Sequence, residues 1–197
     1  MLRRGWASAV AVPSLKTLLL VVLIGGIAKE AIDRLDIQRL EEVGLPTDVS
    51  PAVIVGITVV ARMALGWLVV GWARRRSGAD GLATSMAVLL VAVAVGIGLL
   101  AWGGLLGIAM LGIVIQGGFF SATAPVVESW TNRFADPNAR ATIHSFMGQA
   151  ESIGEVGGGL ALGAVAQLAS VSSAMTISAV LFAGSAALAL SARHTVG

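Results

Sequence analysis

Arg140–Leu168 reads RATIHSFMGQAESIGEVGGGLALGAVAQL. It is about the length of a membrane-spanning helix, yet His144, Glu151 and Glu155 interrupt an otherwise small-residue, apolar run. At about 100° per residue, His144, Gly148, Glu151, Glu155 and Gly158 fall in one narrow stripe. A carboxylate is expensive in hydrocarbon, so a helix that accepts two must turn them toward other helices or a wet cavity. The stretch therefore predicts a polytopic membrane protein with a polar interior.

Composition agrees. Apolar residues make up 56% of the chain and charged residues 12%, against roughly 25% charged in soluble domains. Mean hydropathy is +0.89. Many of the 25 glycines lie inside apolar runs, where they let neighbouring backbones approach closely. The net charge is +2, and no basic stretch is interleaved with stacking aromatics, which argues against nucleic acid. With no cysteine, disulfides and thiolate metal sites are excluded.

Six spans are expected, at about residues 14–32, 51–72, 82–101, 104–121, 140–168 and 173–191, in one all-α transmembrane bundle covering 1–197. Pro51 suits a first helical turn. Residues 82–120 carry no charge and are long enough for two crossings, with the break at Trp102-Gly103-Gly104. The segment Lys29 to Asp48, read as a loop, holds six acids and three bases. Basic residues instead mark the alternate ends: Arg3 and Arg4, Arg74-Arg75-Arg76, Arg133 and Arg140, and Arg193. Cytoplasmic loops are enriched in Lys and Arg, so both termini are expected in the cytoplasm and the chain in the cell (inner or plasma) membrane. A cleaved signal peptide is the competing reading of the N-terminus, but its apolar run is long for that role.

Three segments resemble the major facilitator superfamily (MFS) of transporters. Ala28-Lys29-Glu30-Ala31-Ile32-Asp33-Arg34-Leu35 is similar to the ending of the family's seventh helix. Pro125, Glu128, Trp130, Asn132 and Arg133, followed by Arg140, Ala141, Thr142 and Ser145, resemble its tenth-to-eleventh connection. Gly148-Gln149, Ser152-Ile153-Gly154-Glu155 and Gly157-Gly158 resemble its glycine-rich eleventh helix. Gly71, Arg76 and Gly78 match part of a further loop element, with Arg75 at the acid's place and Ala79 at the last base's. The resemblance covers nearly the whole chain as helices seven to twelve, the C-terminal half. It implies a secondary transporter whose substrate binds between two six-helix halves. This chain is thus expected to pair with an N-terminal half or with itself, or to be a fragment or truncated reading frame.

Candidate chemistry follows from depth. Glu151 and Glu155 share a helix face, and an acid near mid-span can exchange a proton with a wet cavity. The competing reading is a structural charge. Arg62 is the lone charge within span two and is expected to pair with Glu151 or Glu155, as an anion contact, a releasable counter-charge or a static pair. His144 is a candidate proton relay or a packing histidine. Gln116, the sole amide of span four, meets substrate or a neighbouring helix. The resemblance implies an outer gate at Glu30, Asp33 and Arg34, where a solvated helix end is the simpler reading. Glu128, Arg133 and Arg140 are expected to form an inner-border charge cluster, and Arg74 to Arg76 to meet anionic lipid. Small-x-x-x-small spacing at Gly154/Gly158 and Gly159/Gly163 predicts close helix packing.

No catalytic or metal residue and no cofactor is expected. There is no phosphate-binding loop and no H-E-x-x-H. His144 and Ser145 point to different helix faces, Ser185 has no evident base, and His144 and His194 lie far apart. The expected function is transport of a small solute, unidentified by the sequence, by proton coupling or down its own gradient. The alternative is a non-transporting scaffold or an inactive remnant.

Overall fold

The computed structural model describes residues 12–46, 50–76 and 79–192. Among the described residues seven helical segments run in order: α1 Pro13–Glu42, α2 Pro51–Arg74, α3 Ala79–Trp102, α4 Leu106–Ser121, α5 Thr123–Phe134, α6 Arg140–Leu168 and α7 Val171–Ser191. Since α4 and α5 continue as one rod, the bundle has six. Four of them, Ala52–Arg74, Gly81–Trp102, Leu106–Phe134 and Val171–Ser191, are long and apolar enough to cross a membrane. These four mark a multi-pass membrane protein. The other two, α1 and α6, carry most of the intrahelical charge. Arg3, Arg4, Asp48, Gly78, Arg193 and His194, used above for topology and motifs, lie outside the described residues.

Two boundaries differ from the sequence reading. First, α1 does not stop near Ile32. It continues through Glu42, so most of the expected acidic loop is helix. Opposite charges at helical spacing hold that extension: Lys29 to Asp33, Glu30 to Arg34 and Arg39 to Glu42, pairs that favour helix. The helix ends where Gly44 takes φ +93, a left-handed conformation cheap only for glycine. There the Leu45 and Gly44 N–H groups return to the Leu40 and Glu41 carbonyls, a Schellman closure. Second, span four runs on to Phe134 after a kink at Ala122. Pro125 explains the kink: it has no N–H to donate, and its ring crowds the carbonyl four residues earlier, at Ser121.

Elsewhere the local signals act as read. Pro51 opens α2 at its first turn. The chain turns between Trp102 and Leu106, and the Gly103 N–H closes the end of α3 on the Leu99 carbonyl. Ser170 caps α7, its hydroxyl accepting from the Ser173 N–H.

Within the bundle α1 packs on α6 and α7, α3 on α4 and α7, and α2 on α4. The α1–α6 crossing is the tightest. A Cβ on Gly154 would strike the Leu23 carbonyl, one on Gly158 the Ile27 carbonyl, and one on Gly26 the Glu151 carbonyl. These two helices run parallel, as rods one and five of an alternating bundle must. Gly163, by contrast, faces open space, so only the first of the two predicted glycine pairs is a packing surface. Gly96 and Gly112 seat α3 against α4 in the same way: a Cβ on Gly112 would lie 2.6 Å from the Gly96 carbonyl. Buried polar bonds fix the remaining contacts. Trp130 Nε1 donates to Ser14 Oγ at 2.7 Å, and Ser178 Oγ donates to the Ala28 carbonyl at 2.6 Å.

Candidate functional site

The glycine crossing brings the polar faces of α1 and α6 together. One turn beyond Gly26, Lys29 Nζ donates to Glu155 Oε1 at 2.7 Å, with the two side chains 27% and 28% exposed. Lys29 also lies 3.6 Å from Asp33. The cation that meets Glu155 is therefore Lys29 of α1, which corrects the expected pairing with Arg62. The reason is neighbourhood: α6 packs on α1, whereas α2, which carries Arg62, packs on α4. Arg62 stands at the exposed edge of a 250 Å³ recess that it lines with Lys29, Asp33 and Gln116. Its aliphatic stem covers Gly117, and it makes no ion pair among the described residues.

Behind that recess, Gln116 Nε2 donates to Asp36 Oδ2 at 2.8 Å, so the sole amide of span four does bind a neighbouring helix. Asp36 Oδ1 and Gln116 Oε1 are buried without a partner. Among the described residues no cation lies within ion-pair distance of Asp36, although Arg62 attracts it from farther off.

One turn before Glu155, Glu151 lines a separate cavity of 480 Å³. His144 and Gly148 of the same helix line it too, as do Glu128 of α5, Phe120 of α4 and Phe182 of α7. The stripe read from the sequence is thus one continuous face: His144, Gly148 and Glu151 on the cavity, Glu155 on Lys29, and Gly158 against Ile27. His144 Nε2 lies 3.4 Å from Asn132 Oδ1.

The inner-border residues divide. Arg140 Nη2 donates to the Asn132 carbonyl at 3.0 Å, joining the start of α6 to the end of α5. Glu128 lines the cavity instead. Arg76 stacks over the Trp72 ring at 4.8 Å. At the other end, Glu30 and Arg34 form an exposed pair within one helix, and Arg39 Nε donates to the Leu100 carbonyl at 3.2 Å, tying α1 to α3.

Lys29 and Asp36 were absent from the sequence-derived site. Asp36 sits in the segment assigned to a loop, and Lys29 where that segment overlaps the expected end of span one. The alternation of opposite charges four residues apart, already visible from Lys29 to Arg34, was the signal that the helix continues. Among the described residues no group of three or more His, Asp or Glu side chains is placed to hold a metal ion. No family model, curated protein or solved structure matches the chain.

Proposed function

We propose that this protein is a secondary transporter of the major facilitator type, the chain supplying the C-terminal six-helix half. In this reading all six rods cross the cell membrane with both termini in the cytoplasm. The cargo is a small solute, moved by proton coupling or down its own gradient.

One observation carries the reading: the Lys29–Glu155 pair bridges two parallel helices beside two cavities, 2.7 Å apart and half-buried. Ion pairs inside a membrane bundle are costly and mark substrate or ion pathways. A pair between two helices can open when one rod moves against the other or when the carboxylate takes a proton. The glycine surface of Gly26, Gly154 and Gly158 beneath it lets such a movement proceed without interlocking side chains. Two of the three resembling segments, Ala28 to Leu35 and Gly148 to Gly158, contribute residues to this face. Exposed apolar side chains on α2 (Val60, Met63, Trp67) and α6 (Ile153, Val156, Leu160) suit lipid, a partner half or a second copy.

The test is reconstitution of the full chain in proteoliposomes containing a trapped pH dye. A panel of sugars, amino acids, organic acids and organic cations is then added outside. A solute-dependent internal pH change, lost in a correctly inserted Glu155→Gln variant, supports proton-coupled transport. Solute flux that Glu155→Gln leaves intact removes Glu155 from coupling. No flux for any solute, alone or with a partner half, favours a non-transporting scaffold.

A further inference from the structure

The two cavities differ in charge. The 250 Å³ recess has Lys29 and Arg62 in its wall. Among the described residues no lysine or arginine lines the 480 Å³ cavity; its charged residues there are Glu128 and Glu151, with His144 the one other ionisable group. Neither glutamate has an ion-pair partner among the described residues. Lys29 of α1 is in contact with Glu155 and Asp33 and attracts Glu151 only from beyond ion-pair distance.

The rest of the wall is apolar. Half-buried Phe120 lines it, braced from behind by fully buried Phe182, the two rings edge to face with centroids 6.0 Å apart at 74°, and Val22, Val127 and Met147 complete the lining. An aromatic face attracts a cation, and methionine adapts to irregular shapes. Half-buried Glu151 against such a wall favours a positive ligand, because an unpaired charge in an apolar setting is costly, and Glu128 at the exposed rim adds to the negative potential. Two glutamates cannot supply the full oxygen shell that a hard metal ion needs. A bulky organic cation needs no such shell, and the volume falls in the range of small-molecule sites.

We infer that this cavity binds amphiphilic organic monocations, with Glu151 and Glu128 supplying the countercharge and Phe120, Val22 and Val127 the apolar wall. This names a substrate class for the transporter reading above and rests on that reading only for the claim that the cation is cargo; binding itself stands alone.

Equilibrium dialysis of the purified full chain in detergent tests it, with tetraphenylphosphonium as the probe and tetraphenylborate, of similar shape and opposite charge, as the control. Saturable binding of the phosphonium is expected, with the borate weaker by about tenfold or more. Glu151→Gln and Glu128→Gln should each lower phosphonium affinity by about tenfold, while Glu41→Gln, at an exposed site on α1, should leave it unchanged. Equal binding of both ions overturns the proposal. So does unchanged affinity in either glutamine variant with native elution and helicity. Should Glu151→Gln not fold, exposed Glu128→Gln decides. A chain that binds the cation yet moves no solute contradicts the transporter reading alone, and one that moves another solute without binding the cation contradicts this inference alone.

Discussion

Lys29 Nζ and Glu155 Oε1 stand 2.7 Å apart although 126 residues separate them in sequence. The contact exists because Gly26, Gly154 and Gly158 let two parallel helices close on each other just before the charges meet. Glycine spacing, helix packing and the polar face are thus one feature. Removing Lys29 leaves Glu155 half-buried and without its cation, and removing the Glu155 charge leaves Lys29 only the longer contact to Asp33 at 3.6 Å. Lys29→Met and Glu155→Gln are each expected to cost about 1–2 kcal/mol, below the figure for fully buried pairs because both side chains keep some exposure. The double variant should cost less than the sum of the singles. Thermal unfolding of the four proteins in detergent checks this, and strict additivity would mean that the two groups do not interact.

The crossing itself is expected to reject any side chain. Gly154→Ala and Gly158→Ala place a Cβ on a backbone carbonyl that cannot swing aside, costing about 1–3 kcal/mol. Gly157→Ala and Gly163→Ala meet nothing within 4 Å and should be neutral or slightly stabilising, since alanine favours helix. A melting series over these four positions separates a packed face from a general intolerance of α6 to substitution.

Asp36 offers a prediction of opposite sign. Its Oδ1 is buried without a partner, and among the described residues no cation pairs with it. Asp36→Asn removes the charge and retains an acceptor for the Gln116 amide. Stability is expected to hold or rise by about 1 kcal/mol. A clear fall in melting temperature would show that the carboxylate has a cationic partner.

At the end of α1 the left-handed Gly44 is expected to be specific. Gly44→Ala should cost about 1 kcal/mol, whereas Gly25→Ala, at a helical site with nothing within 4 Å, should not. Hydrogen exchange at the Gly44 and Leu45 amides would report the opening locally, and equal protection in both variants would contradict the closure.

Much of this architecture was legible in the sequence. The long apolar runs, Pro51 and the Trp102-Gly103-Gly104 break located α2, α3, α4 and α7, because hydropathy and turn chemistry are local properties. The stripe of α6 was legible from helical period alone. Its partner was not, because depth in a bilayer follows from counting residues along a helix, while azimuth and neighbourhood depend on which rods touch. Arg62 has the right depth and sits on the wrong helix for Glu155. Asp36 was hidden for another reason: charge beyond Ile32 was read as loop, when spacings of four made it helix. The extension to Phe134 was missed because polarity rises after Ser121, though Pro125 kinks the rod without ending it.

The absence of cysteine makes the central claim, that the acids of α6 face α1 and not the lipid, open to a direct measurement. Lys29→Cys/Glu155→Cys and Arg62→Cys/Glu155→Cys double variants are treated in native membranes with a short bifunctional thiol reagent, and each bridge is read as a mobility shift on a denaturing gel. Rapid bridging of 29 to 155, with none of 62 to 155, is the predicted result. Bridging of 155 to 62 and not to 29, or free labelling of 155 by a lipid-phase thiol probe with no bridge to either, would contradict the account.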